Sequence, residues 1–162
     1  MTPYGKTAQT AIAAVSRLAE VYAPNKPVKL NSADIAENRR LPQPVVAKVL
    51  TILSQAGIVH GSPGPHGGYW LVRPPAKTSL YDVVALFERL EENVSCPFGP
   101  NYCGSGPQCP LHPDLLLIRE QMVTFLKTST FARFVGWAPA ADEAGVGGNK
   151  PGKSSPVRPK PK

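Results

Sequence analysis

Between Cys96 and His112 the chain reads C-x6-C-x5-C-x2-H, a stretch that holds all three of its cysteines and one of its three histidines. The intervening residues are mostly Gly, Pro, Ser, Asn and Gln, which turn readily but offer little to a packed core. The stretch therefore interrupts the fold as a loop, and its spacing suits the convergence of soft ligands on an ion. Apolar, periodic sequence lies on both sides of it.

The chain has 162 residues, is 42% hydrophobic and contains no apolar run of membrane-spanning length, which predicts one compact soluble domain with an accessory element. Its first residues lack the pattern of a secretory signal, so a cytoplasmic, reducing location is expected. Clustered cysteines in odd number then point to metal binding or redox chemistry rather than a disulfide framework. The formal charge of +7 is unevenly spread: residues 1–80 carry nine Lys/Arg against three acids, residues 81–148 four against eight, and residues 149–162 five against none. Contact with a polyanion is thus expected of the amino-terminal half and not of the cysteine-bearing half.

Taken in order, Ala8, Ala11, Ile12, Val15, Leu18, Ala19 and Tyr22 define one face of a helix from Thr7 to Tyr22, ended by Pro24. A shorter helix, capped at Asn31 or Ser32, runs through Asn38, and Arg39-Arg40-Leu41-Pro42 makes a basic turn. A third helix begins near Gln43-Pro44, buries Val46, Val49, Leu50 and Leu53, and stops at Gly57. The last two helices and their turn match a helix-turn-helix. Two short strands, Ile58–His60 and Tyr69–Val72, flank a Gly-rich tip and form a β-hairpin wing. Beyond it, Ser79 caps a helix with Leu80, Val83, Val84, Phe87 and Leu90 on one face. After the cysteine loop, Leu115, Ile118, Met122 and Phe125 mark a helix too apolar to stand alone; it is expected to pack on the first helix and on its symmetry mate in a two-fold homodimer.

The predicted fold is mainly α with a small β-hairpin wing. Residues 1–78 form a winged helix-turn-helix DNA-binding domain, residues 79–137 a helix, the cysteine loop and a dimerisation helix, and residues 138–162 a disordered basic Pro/Lys-rich tail. Candidate contacts to double-stranded DNA are Arg39, Arg40 and Lys48 on phosphates, Gln43 on an adenine edge, and His66, Gly67 and Gly68 at the wing tip. No nucleophile motif, phosphate loop or convergent carboxylate pair suggests an enzyme, and no small-molecule substrate is expected.

Three segments carry a family resemblance: Ser32-Ala33-Asp34-Ile35-Ala36, Gly64-Pro65-His66-Gly67-Gly68-Tyr69-Trp70-Leu71-Val72-Arg73-Pro74-Pro75, and the three cysteines. With them the chain resembles the bacterial IscR/NsrR-type (Rrf) family of winged helix-turn-helix iron-sulfur regulators, over residues 5–137. The resemblance implies a homodimeric transcriptional regulator, usually a repressor, governed by a cluster that senses redox state, nitric oxide or iron-sulfur status. At the start of the recognition helix the chain departs from the family. Pro42-Gln43-Pro44-Val45-Val46-Ala47-Lys48 lacks the serine, tyrosine and glutamate that read DNA in relatives, so their operator cannot be carried over.

Spacings of six and five between cysteines are wider than the knuckles of structural zinc sites, and three thiolates leave one of four cluster positions open. Cys96, Cys103, Cys109 and His112 are the candidate ligands. A histidine at this place is similar to the 2Fe-2S members of the family, whereas the carboxylate that some 4Fe-4S members use near the first helix has no counterpart in Thr7-Ala8-Gln9-Thr10. A 2Fe-2S cluster is therefore the expected cofactor. The competing readings are a zinc-stabilised winged-helix adaptor and a metal-free thiol-based redox regulator.

Overall fold

The computed structural model describes residues 4–90 and 109–137. Helix α1 (Lys6–Glu20) is the hub, because its buried face is built from Ala8, Ala11, Ala14, Val15, Leu18 and Ala19. Alanines let neighbouring backbones come close, so α1 is packed by α2 (Ser32–Arg39), by α3 (Gln43–Gln55) and by elements far along the chain. Its two buried hydroxyls are satisfied locally: Thr10 donates to the Lys6 carbonyl at 2.9 Å and Ser16 to the Ala13 carbonyl at 2.9 Å. No side chain of its own caps α1. Instead the Gly5 amide donates to the Glu88 carboxylate at 2.9 Å, placing an anion at the positive end of the helix.

Helix α2 opens with a capping box. The Asn31 side chain accepts from the Asp34 amide at 2.8 Å, and the Asp34 carboxylate accepts from the Asn31 amide at 3.1 Å. It closes on Arg40, which takes the left-handed conformation at φ 52° and turns the chain into α3. Pro44 lies in the first turn of α3, and Val46, Val49, Leu50 and Leu53 are buried as their spacing predicts. Gly57, at φ 70°, ends the helix turn and releases the wing.

Strands β1 (Val59–Ser62) and β2 (Gly68–Leu71) pair antiparallel, with His60 opposite Trp70 and Val59 opposite Leu71. Each strand sits a residue or so from its expected bounds, and the inward face is carried by Val59 and Leu71. Two long-range backbone contacts, unforeseen in the sequence, lie outside the hairpin ladder. Leu30 and Tyr69 form a bridge through reciprocal backbone bonds of 3.1 and 2.8 Å, which ties the link between α1 and α2 to the wing. Residues 78–80 bond to residues 129–131 through Leu80 to Ser129 at 2.9 Å and Phe131 to Thr78 at 3.0 Å.

Past the wing, Ser79 and Asp82 form a second capping box for α4 (Leu80–Val84), which is shorter than the periodicity through Leu90 predicts. Bonds from Leu86 to Val83 and from Phe87 to Val84 tighten the chain there into i→i+3 turns, yet Leu90 still reaches the core. Helix α5 (His112–Thr128) does not pack chiefly on α1 as expected. It lies on α4, and the 3₁₀ turn Phe131–Phe134 that follows it reaches α1. The apolar core is continuous from Ala8 to Phe131 and crosses the boundary expected near residue 78. The tail and most of the cysteine loop lie outside the described residues.

Candidate nucleic-acid interface and cysteine site

The residues that pattern singled out around the helix-turn-helix fall into two groups. Arg40, Gln43 and Lys48 are exposed, on the turn and on the outward face of α3. Arg39 is not free for a phosphate. Its guanidinium donates to the Glu20 carboxylate, to the Ser16 hydroxyl at 3.1 Å and to the Ala13 carbonyl at 3.3 Å, and its side chain is 13% exposed. Glu20, with a side chain 2% exposed, also accepts from Arg17 at 2.8 Å. Arg39 thus locks α2 to α1 through a buried carboxylate that Arg17, on α1 itself, also holds, a role that the sequence run Arg39-Arg40 conceals. Trp137 adds a ring 5.8 Å from the Arg39 guanidinium on its outer side.

In the wing, His66 is exposed at the tip, whereas Gly67 and Gly68 are glycine for the chain's own sake. A Cβ on Gly67 would stand 2.1 Å from the Ser62 carbonyl oxygen, and one on Gly68, at φ 145°, would stand 3.0 Å from the Leu30 backbone. Their lack of side chains is thus accounted for by the tight tip and by the Leu30 bridge. Gly64, at φ 99°, has open space where its Cβ would be.

The wing and α3 flank a groove of about 490 Å³, lined by Ser32 of α2, Thr51, Ser54 and Gln55 of α3, and the hairpin residues Gly61–Pro65 and Gly67–Tyr69. On the outward wing face, the His60 and Trp70 rings lie 4.7 Å apart, and Lys29 Nζ stands 5.1 Å from the Trp70 ring. Sequence reasoning missed Lys29, although the Trp70 position in a two-residue strand alternation marked its outward neighbours.

Of the four candidate metal ligands, Cys96 and Cys103 lie outside the described residues. Cys109 is a half-buried free thiol just before α5, and His112 begins that helix, with its amide donating to the Cys109 carbonyl at 3.0 Å. One helical entry turn therefore ties the backbones of two residues whose side chains, a thiol and an imidazole, are donors of the kind a soft or borderline metal takes. Among the described residues no group of three or more potential ligands occurs, and no helix is long and apolar enough to cross a membrane.

A helix-turn-helix with its reading helix exposed, followed directly by a two-stranded wing, defines a winged-helix DNA-binding regulator. The sequence profile of the Rrf2 family, described as iron-dependent transcriptional regulators, matches residues 4–136. The chain belongs to this family of transcriptional regulators. A putative HTH-type transcriptional regulator of Aquifex aeolicus is 30% identical over 99 residues, covering 60% of this chain and 69% of that protein. The HTH-type transcriptional regulator IscR of Vibrio vulnificus is 26% identical over 135 residues, 83% of this chain and 76% of its own. Among solved structures, CymR, the global cysteine regulator of B. subtilis, aligns with a TM-score of 0.66 at 18% identity, over 83% of this chain and 99% of that one; this likeness is one of fold.

Proposed function

We propose that the protein is a homodimeric repressor whose grip on an operator is set by an iron-sulfur cluster held by Cys96, Cys103, Cys109 and His112. The observation that supports this reading is the backbone turn that ties Cys109 to His112 at the entry to α5, in a chain that also carries a winged helix. Arg40 and Lys48 would hold phosphates, Gln43 an adenine edge, and His66 the groove beside the wing. When bound, the cluster would supply a redox- and nitric-oxide-sensitive link among its ligands. The chain's own part is transmission: α5 rests on α4, and the turn behind it presses Phe131 into the core against α1. A shift at the start of α5 would then alter how α1 and the helix-turn-helix sit.

Dimerisation is supported by the outward side of α5, where Leu117, Ile118 and Phe125 are 53%, 61% and 52% exposed. Such a row on one helix suits burial against a second copy.

An anaerobic absorption spectrum with iron and acid-labile sulfide assays tests the proposal first. Absorption between roughly 320 and 460 nm, with sulfide matching iron, is the expected result. Cys103→Ala should abolish it and change operator affinity while the fold is kept. A colourless protein with stoichiometric zinc would replace the sensor by the zinc-stabilised adaptor, and a metal-free protein whose DNA affinity follows thiol oxidation would replace it by a thiol switch.

A further inference from the structure

The groove between α3 and the wing has an unusual lining for a basic protein: no charged side chain enters it. Among the described residues, the side chains of Ser32, Ser54 and Gln55 find no hydrogen-bond partner, and Thr51 makes a single local bond to the Ala47 carbonyl at 3.0 Å. Two lysines lie near its wall. Lys29 reaches Ser62 of the groove wall at 3.3 Å, and Lys48 lies one helical turn before Thr51 on the outward side of α3. A cleft with uncharged donors inside and an ammonium bonded to its wall has the chemistry of a seat for a run of sugar-phosphate backbone.

We infer that Ser32, Thr51, Ser54 and Gln55 clamp one DNA strand between the reading helix and the wing by neutral hydrogen bonds, fixing how deep α3 can sit. The inference rests on the reading of this face as the DNA interface and adds residues to it. The occupant is a phosphodiester backbone because three of the four donors are single hydroxyls, which bond a phosphate oxygen without the bidentate pairing that reads a base edge. The Thr51 hydroxyl can turn from the Ala47 carbonyl to a phosphate without disturbing the helix, whose backbone bonds do not need it. Neutral contacts release no counterion, so they add affinity without adding to its salt dependence.

The test is binding of the full-length protein to a fluorescent mixed-sequence duplex across a salt series, since backbone contacts do not depend on operator sequence. Thr51→Val with Ser54→Ala should weaken binding about tenfold at every salt concentration, leaving the slope of log K against log salt unchanged. Lys48→Ala should instead flatten that slope by about 0.9. Ser54→Asp should nearly abolish binding by placing an anion against the strand, whereas Ser54→Asn, of the same size and uncharged, should not. Parental binding by the neutral double variant and by Ser54→Asp, with Lys48→Ala still flattening the slope, would overturn the clamp and leave the interface. Parental binding by all of these and by Arg40→Ala would overturn the DNA reading of this face and the clamp with it. Circular dichroism of each variant confirms that its helices are intact.

Discussion

Glu20 gives the sharpest test of how this fold is held together. Its carboxylate is almost fully enclosed and is the shared acceptor of Arg17 and Arg39, so Glu20→Ala strands two guanidinium groups at once. Removing one partner of a buried pair costs about 3–5 kcal/mol, because the remaining charge has lost water without compensation. The lower end applies here. Arg39 would keep the Ser16 hydroxyl and the Ala13 carbonyl, and Arg17, at 27% exposed, can swing into solvent. A loss of about 3 kcal/mol is therefore expected. With a urea m-value of about 1.5 kcal/mol/M, it would lower the unfolding midpoint by roughly 2 M. Urea titration followed by far-ultraviolet circular dichroism measures this. Glu20→Leu combined with Arg39→Leu should recover much of the loss, since the apolar pair leaves only Arg17, which can reach water. A midpoint shift under 0.5 M for Glu20→Ala, or a double variant worse than the sum of the singles, would refute the claim that this cluster locks α2 to α1.

Further outcomes follow from the packing. Phe131→Ala should cost about 4 kcal/mol in the same titration, since the ring is fully buried and the site is hemmed in by α1 and the 78–80 bridge. Gly67→Ala should cost about 2 kcal/mol through its collision with the Ser62 carbonyl and should broaden the amide resonances of the wing in NMR spectra. Ile118→Glu with Phe125→Glu should shift sedimentation from dimer to monomer while the monomer's circular dichroism is kept; an unchanged dimer would move the interface elsewhere.

The helix-turn-helix and wing were legible because their signals are local. Asn31 with Asp34, Pro44 in the first turn of α3, the Val46 to Leu53 spacing and the Gly-rich tip each act within a few residues. What the sequence did not show are roles whose partner lies far along the chain. Arg39 looked like a phosphate ligand because nothing near it in sequence announces Glu20, and Gly67 and Gly68 looked available to DNA because the Ser62 and Leu30 backbones that crowd them are invisible in a pattern. The length of α4 failed for another reason: periodicity reports which side chains turn inward, and Leu90 does so through tight turns as well as it would through a helix. The neutral groove escaped notice because serine and threonine carry no signal until two elements bring them together.

The position of Phe131 also has a bearing on synthesis. Helix α1 is made well before the turn Phe131–Phe134 that covers part of its small-residue surface. During translation that surface must wait, and such long-range closure slows folding and leaves apolar area open to wrong partners. A ribosome-bound fragment ending before residue 131 would hold a reading helix on an unfinished support, so competence to bind DNA should emerge only once the last turn has left the exit tunnel.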